Sequence, residues 1–291
     1  MTVKKYENGE VPDHMVPPPT PTHVVTKPNK KPATPFEQVK GLMSSQEYQK
    51  QIVNYYRGER EEAMAFLTSS VEYIRKVPKL LDCDKTSLLS ALMISAQFRL
   101  MPSGVMGEAY IIPYGAEAKF QLGYQGIVTL IWRTNKVKSI KAIIVYANEH
   151  FVYAEGLDTT LEHIPTKFGE ERGKPVGVYA VAETTNGGRL FTVMSEDQVM
   201  AIKNMSKAKD KPDSPWNSKD PEKWMWKKTC LIQLAKLLPK TMDLQRAIEE
   251  DYKGEGAERA SFDAGGPAVG KAIHSNDDIK VEVDEQNNDG E

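Results

Sequence analysis

The spacing of apolar residues changes twice along this sequence, from helical to strand-like and back to helical. These two changes limit the folds that the chain can adopt. Between residues 45 and 98, apolar residues recur at the spacing of helix faces until breakers such as Pro78 interrupt them. Between residues 108 and 194 the pattern is one of strands around a single helix, separated by turn signals such as Asn186-Gly187-Gly188. Helical spacing returns after Ser195. We therefore predict an α+β fold in a single core domain, with an antiparallel β-sheet, N-terminal helices and packed C-terminal helices.

The two ends of the chain differ from this core in composition. Eight of the 18 prolines fall within the first 35 residues, so we expect residues 1–34 to form a disordered proline-rich arm. Residues 253–291 contain ten acids and four bases, a net charge of −6, which is typical of a disordered acidic tail. Because the whole chain carries −2, residues 1–252 carry +4. The predicted core, residues 35–252, therefore belongs to a basic body that the near-neutral total conceals.

The densest positive charge lies between Lys203 and Lys240. This segment holds ten lysines, four acids and three of the four tryptophans. Cations interleaved with flat rings suit a polyanion that also has faces to stack on, which describes single-stranded nucleic acid. The alternative is a solvated lysine-rich helix beside a loop without a binding role.

A helix is predicted at the end of this segment. Asp220 is a favourable N-cap, Pro221 suits the first helical position, and Pro239 ends the helix. Lysines in the first turns oppose the helix dipole, so they indicate an anion at the helix start; they are Lys223, Lys227 and Lys228. They are also explained if the first turn extends beyond the core and its lysines reach water.

The candidate DNA contacts follow from these patterns. Phosphate contacts are expected from the lysines Lys207, Lys209, Lys211, Lys223, Lys227 and Lys228. Arg133 and Lys136 are second-rank candidates for phosphate contact. Exposure to solvent, at the end of a helix and on a strand, explains charged residues at these positions equally well. Trp216, in a loop among prolines and lysines, is the candidate for stacking on a base, whereas Trp224 is expected in the core.

The turn from Gly123 to Gly126 supplies two further candidates. Tyr124 and Gln125 lie there, at a predicted helix start, where they could face DNA. The Gly-x-x-Gly spacing is similar to the nucleotide-clamping loop of KH domains, but four residues are too few to support that reading.

A nucleotide cofactor has little support in the sequence. Residues 265–272 are similar to a phosphate-binding loop, but the last position is Ala272 instead of Ser or Thr, and no apolar strand precedes the segment. His150 and His163 show no ligand partners at metal spacing. We therefore expect no catalytic residue, no metal and no cofactor.

A metal-dependent DNA nuclease is the alternative enzymatic interpretation. Glu117 and Lys119, on a predicted strand, form half of a magnesium-nuclease motif. Such an enzyme also needs an upstream aspartate that shares the metal. The nearest ones, Asp82 and Asp84, precede a helix, so a surface charge pair is the simpler explanation.

The cysteines and the absence of long apolar runs indicate the cellular compartment of the protein. Cys83 and Cys230 form no disulfide framework and no metal spacing. The sequence shows neither a signal peptide nor an apolar run of transmembrane length. We expect a cytoplasmic protein with reduced thiols and no membrane partner.

Three segments carry a family resemblance. They are LMPSGVMGEAYIIPYG (100–115), FQLGYQGIVTLIWRTNKVKSIKAIIVY (120–146) and SPWNSKDPEKWMWKKTCLIQLAKLLP (214–239). In this order and spacing, the chain resembles the RecT family of phage recombinases, the ATP-independent single-strand annealing proteins related to Redβ. Neither tail contributes to the resemblance.

The resemblance implies a protein that coats single-stranded DNA and pairs it with a complementary strand without nucleotide hydrolysis. It implies a homo-oligomeric ring or helical filament, with a basic groove between protomers lined by residues 214–228 and the helix that follows. Implied partners are single-stranded DNA, the nascent annealed duplex and a phage exonuclease, and the acidic tail is a candidate contact for the host single-strand binding protein. The implied location is the cytoplasm of a bacterial host, in association with the nucleoid. A passive single-strand coating protein is the third class left open.

Overall fold

The computed structural model describes residues 32–212, 214–217, 220–239 and 241–255. Most of the predicted arm and tail lies outside the described residues, as does the loop-like segment 265–272. The last helix continues to Glu255, so the first residues of the predicted tail belong to it.

Four α-helices form the N-terminal part. They are α1 (Pro35–Met43), α2 (Gln46–Tyr55), α3 (Arg60–Lys76) and α4 (Lys85–Gln97), with a 3-10 helix (Pro78–Asp82) before α4. Side chains at the helix starts accept backbone N–H groups, including Ser45 at α2 and Asp84 at α4. The buried faces of these helices contribute Phe66 and Leu88 to the core.

The strands form three antiparallel sheets within the described residues. Strands β1 (Ala109–Tyr114) and β2 (Glu117–Leu122) form a hairpin around Gly115, and α5 (Tyr124–Trp132) follows. Strands β3 (Val137–Tyr146), β6 (Pro175–Thr184) and β7 (Arg189–Ser195) form a three-stranded sheet in the order β3-β6-β7. Between β3 and β6, strands β4 (His150–Ala154) and β5 (Thr160–Ile164) form a second hairpin. The predicted α+β class is confirmed, and the strands are divided among three sheets.

Three helices complete the fold, and the middle one is buried on two sides. They are α6 (Glu196–Met205), α7 (Trp224–Ala235) and α8 (Met242–Glu255). Helix α7 packs across the three-stranded sheet on one side, and α5 packs against α7 on the other. Cys230 marks the contact with the sheet, since its Sγ lies 3.3 Å from the carbonyl oxygen of Thr192. No helix in the described ranges is both long and apolar enough to cross a membrane.

Both cysteines are free and buried. Burial raises the pKa of the Cys230 thiol far above its usual value. Burial also raises the pKa of Cys83, with a further contribution from the negative charge of Asp82. Both side chains therefore remain protonated thiols at neutral pH.

A buried ion pair joins α7, α8 and β2. Lys228 on α7 is 3 % exposed, and its Nζ lies 2.9 and 2.8 Å from the two carboxylate oxygens of Asp251 on α8. The Oδ1 atom of Asp251 also accepts the backbone N–H of Leu122 at 2.9 Å, at the end of β2. This placement corrects the expectation that Lys228 contacts phosphate, because its charge is already neutralised inside the fold.

Helix α7 begins later than the sequence predicts. Its first residue is Trp224, and Lys223 precedes it in a left-handed conformation with φ of 51°. Asp220 does not cap the helix in the expected position; its carboxylate accepts the backbone N–H groups of Glu222 and Trp224 at 3.0 and 3.4 Å. An acid therefore already lies beside the helix start, where the sequence predicted a bound phosphate.

We predict that Lys228→Met lowers the free energy of unfolding by about 3–5 kcal/mol, because it leaves the Asp251 carboxylate buried without its counter-charge. The double variant Lys228→Met/Asp251→Leu should lose less, about 1–3 kcal/mol, since it leaves the N–H of Leu122 unpaired but no buried charge without its counter-charge. Urea unfolding measures both. Lys50→Met, on the exposed side of α2, is the control and should change stability by less than about 0.5 kcal/mol. Unchanged stability of the single variant would contradict this role of the ion pair.

Candidate nucleic-acid interface

A groove runs between the β1–β2 hairpin and the start of α7. It consists of two adjoining cavities of about 390 and 510 Å³. The cavities share four lining residues, which are Ile112, Gln121, Pro215 and Met225. One end of the groove is bounded by residues 104–107 and the start of α5, and the other by the 3-10 helix and residues 206–211 and 214–216.

Strand β1 contributes a row of side chains to one wall of the groove. Tyr110, Ile112 and Tyr114 alternate along the strand and therefore lie on one face. All three line the groove, and Gln121 stands beside them on β2, opposite Tyr110. No binding role was expected of this strand from the sequence. Two tyrosines at a spacing of four on one strand face were the signal that could have revealed it.

The opposite wall includes a lysine-rich loop, residues 206–212 and 214–217, which we call the lysine loop. Asn217 fixes its shape, because its Nδ2 donates to the carbonyl oxygens of Lys209 and Lys211 at 2.7 and 3.0 Å. Lys203 Nζ donates in turn to Asn217 Oδ1 at 2.7 Å. Lys207 and Lys211 are exposed, and Lys211 Nζ lies 5.3 Å from the centre of the Tyr114 ring. The loop thus presents Lys211 to the groove from a hydrogen-bonded frame.

Two aromatic rings and a lysine meet at the end of the groove near α5. The ring centroids of Tyr124 and Trp224 are 5.1 Å apart, with their planes inclined by 54°, which is a favourable aromatic contact. Lys227 Nζ lies 4.8 Å from the centre of the Trp224 ring and also pairs with Glu222. Trp224 is 43 % exposed, which corrects its expected place in the core; Trp226 is the buried tryptophan of this turn.

The other sequence candidates near the groove differ in exposure. Trp216 lines the groove and is half-buried against the core, so only part of its ring is accessible. Gln125 is exposed and lines the end near Gly107. Lys223 is half-buried at the start of α7.

Burial changes the ionisation of two tyrosines that line the groove. It raises the pKa of Tyr110. It also raises the pKa of Tyr124, although a hydrogen bond to the backbone of Ala142 acts in the opposite direction. Both phenols therefore stay neutral at physiological pH, so neither repels a phosphate.

The glycines of the Gly123–Gly126 turn allow two backbone segments to touch. A Cβ on Gly123 would lie 1.9 Å from the carbonyl oxygen of Gly107, and one on Gly126 would lie 2.2 Å from that of Glu108. The contact is closed by hydrogen bonds from Gly123 N to Glu108 O and from Gln125 N to Gly107 O. The spacing therefore serves close packing of the 104–108 loop on α5, and this accounts for both glycines without a nucleotide clamp.

Arg133 and Lys136 lie away from the groove. Helix α5 starts at the groove with Tyr124, and its nine residues carry the chain about 12 Å away before Arg133 is reached. The guanidinium of Arg133 donates to the carbonyl oxygens of Phe98 and Arg99 at 2.6 and 2.9 Å, so it ties α5 to the end of α4. Lys136 is exposed at the start of β3.

The residues of the nuclease alternative are occupied by other contacts. Glu117 pairs with Lys119 at 3.2 Å, and the carboxylate of Asp84 caps α4 by accepting the N–H of Ser87 at 2.8 Å. Across the described part of the chain, no group of three or more His, Cys, Asp or Glu side chains could hold a metal ion.

An α+β fold that gathers tyrosines, tryptophans and lysines along one open groove has the composition of a nucleic-acid-binding protein. Comparison with known proteins identifies the family. The RecT family model matches residues 64–263. Protein RecT of Escherichia coli (strain K12) is 36 % identical over 189 residues, which are 62 % of this chain and 68 % of that protein.

A second relative extends the match. The uncharacterized protein YqaK of Bacillus subtilis (strain 168) is 31 % identical over 219 residues, covering 75 % of this chain and 73 % of that protein. The chain belongs to the RecT family, so the predicted family is confirmed. Membership places it, in general terms, among proteins of DNA recombination and strand annealing.

We predict that Gly126→Ala destabilises the protein by about 1–3 kcal/mol, because the new methyl group would overlap the backbone of Glu108. The same substitution at Gly41, within α1, has nothing within 4 Å of the new atom and should stabilise by about 0.5–1 kcal/mol. Urea unfolding of the two variants tests the difference in sign. Equal effects would mean that the 104–108 loop moves aside without cost.

Proposed function

We propose that the chain binds single-stranded DNA in this groove and promotes the ATP-independent annealing of complementary strands. The observation that carries the proposal is the pairing of aromatic rings with lysines along one continuous channel. At one end the exposed Trp224 and the half-buried Tyr124 lie beside Lys227, and at the other the half-buried Tyr114 lies beside Lys211. Family membership supports the same conclusion.

The chemistry of the two walls suits a ligand of any sequence. Every base has a face that can stack on an aromatic ring, so stacking tolerates sequence changes. Lysine is a mobile point charge that neutralises phosphate without reading a base. We assign phosphate contacts to Lys207, Lys209, Lys211, Lys223 and Lys227, and we omit Lys228 because it is buried.

Annealing requires no bond to be broken. Two polyanions repel each other, and each free strand spends time in collapsed or self-paired states. A groove that neutralises the backbone and supports the bases on rings holds one strand extended, so that an incoming strand can test it for pairing. Binding that neutralises five phosphates of a single strand should weaken steeply with salt, by about 10²-fold between 50 and 200 mM.

The quaternary and cellular aspects of the proposal rest on the family. We propose a homo-oligomeric ring or filament that holds first a single strand and then the nascent duplex. A phage exonuclease that exposes the strand is the proposed partner, and the acidic segment 256–291 is the proposed contact for a host single-strand binding protein.

The test is an annealing assay with two complementary labelled oligonucleotides, purified protein and magnesium, without any nucleotide. We expect the strands to pair faster with the protein than without it and to keep their full length. Slower pairing with tight binding would make the chain a passive coating protein. Shortened strands would make it a nuclease.

We predict that Trp224→Ala weakens the binding of a short oligonucleotide by about 5- to 150-fold, the equivalent of about 1–3 kcal/mol for one stacked base. Fluorescence anisotropy at fixed salt measures it. Met64→Ala on α3 is the matched control, because Met64 has the same exposed fraction, 43 %, but lies on the N-terminal helices. Equal affinity of the Trp224 variant and the wild type would remove the stacking role from this ring.

A further inference from the structure

The β4–β5 hairpin presents a surface that the fold leaves uncovered. Residues 152–160 are all exposed, and among the described strands β4 and β5 pair only with each other. Leu157, at the tip, is fully exposed. The segment 150–164 contains three exposed acids, Glu155, Asp158 and Glu162, and neither lysine nor arginine. A two-stranded hairpin is marginally stable alone in water, and an exposed apolar tip on it is typical of a contact element.

The base of this hairpin is held firmly against the three-stranded sheet. The buried carboxylate of Glu149 binds Arg172 Nε at 2.6 Å and His163 Nε2 at 3.1 Å. Phe151 stacks on Tyr179 of β6, with the ring centroids 5.5 Å apart. Burial opposes ionisation of Glu149, but hydrogen bonds from Arg172, a backbone N–H and His163 outweigh it and lower its pKa. The hairpin therefore projects in a defined direction.

A surface of opposite charge lies where α5 ends and β3 begins, and we call residues 132–141 the basic corner. The segment carries four exposed bases, Arg133, Lys136, Lys138 and Lys141, and no acid. Across the sheet, Glu183 pairs with Lys138 at 3.1 Å and offsets one of them. Trp132 adds a ring that is 45 % exposed. The corner thus offers positive charge around an apolar face.

The hairpin and the basic corner lie at opposite ends of β3. The corner includes the start of the strand, and the hairpin follows its last residue, Tyr146. From Lys138 in the corner to Tyr146 the strand advances eight residues, which is about 27 Å. Among the described residues no ion pair joins the two segments.

We propose that the hairpin of one copy docks on the basic corner of a second copy. Leu157 would pack on the Trp132 ring, while Glu155 and Asp158 face Lys136 and Lys138. The occupant is another copy of this chain because both complementary surfaces are present on one molecule and, among the described residues, do not pair within it. Since the two surfaces differ, the contact is head-to-tail, and repetition builds a closed ring or an open filament. Like charges at the same contact would repel.

This interface is separate from the groove. It uses no residue to which we assign a DNA contact, and it gives Arg133 and Lys136, the second-rank DNA candidates of the sequence, a different role. Its failure would leave the proposed annealing function standing, and the reverse also holds.

Charge reversal provides the test. One variant carries Lys136→Glu and Lys138→Glu, so that its hairpin and corner are both acidic. A second carries Glu155→Lys and Asp158→Lys, so that both are basic. We expect the wild type to sediment as multimers and each variant as a single chain of about 32.6 kDa. An equimolar mixture of the two variants should regain the wild-type mass, because each hairpin again meets a corner of opposite charge.

Two further samples complete the experiment. A chain with all four substitutions should also regain the wild-type mass, which shows that the altered residues permit folding. Lys50→Glu/Arg60→Glu on the N-terminal helices changes the net charge equally and should leave the mass unchanged. The proposal is overturned if either reversal variant keeps the wild-type mass, if the mixture stays monomeric, or if the wild type is a single chain with and without an oligonucleotide. Weaker oligonucleotide binding by the Lys136/Lys138 variant at unchanged mass would assign the corner to DNA instead.

Discussion

The carboxylate of Asp251 is the interaction on which the rest of the arrangement depends. It neutralises a lysine inside α7 and accepts a backbone N–H at the end of β2. Because β2 leads directly into α5, this one group fixes the relative positions of the three elements that border the groove. The start of α7 can then extend beyond the core with Trp224 exposed, because the following turn is anchored from below. The surface proposed to bind single-stranded DNA thus rests on a rigid support.

In the proposed binding mode, the two walls of the groove have different physical tasks. The β1 wall offers rings and an aliphatic side chain at the fixed spacing of a strand, whereas the lysine loop offers mobile charges on a hydrogen-bonded frame. Aromatic rings would stack on the faces of bases, and lysines would contact the phosphate backbone. Neither contact depends on the base sequence. The near-neutral total charge of the chain is therefore a poor guide to this surface, since the acidic residues concentrate in a segment beyond the described residues.

Local patterns predicted the local structure well. The helical spacing between residues 45 and 98 corresponds to α2, α3 and α4, and the helical spacing after Ser195 corresponds to α6, which Ser195 caps. Long-range partners were beyond reach: nothing near Lys228 in the sequence indicates Asp251, 23 residues later. Asp220-Pro221 suits a turn as well as a helix start, so the beginning of α7 was placed too early. Helical periodicity places Trp224 on the apolar side of the helix. It does not show that this first residue of α7 lies beyond the edge of the core.

The state of the two cysteines has a practical consequence. Both thiols are buried and protonated, so maleimide dyes and spin labels should leave the native chain unmodified. A cysteine engineered at any exposed position would then be the sole labelling site, without prior removal of the natural ones. Energy transfer or electron resonance between copies could follow assembly in real time on an otherwise unaltered molecule.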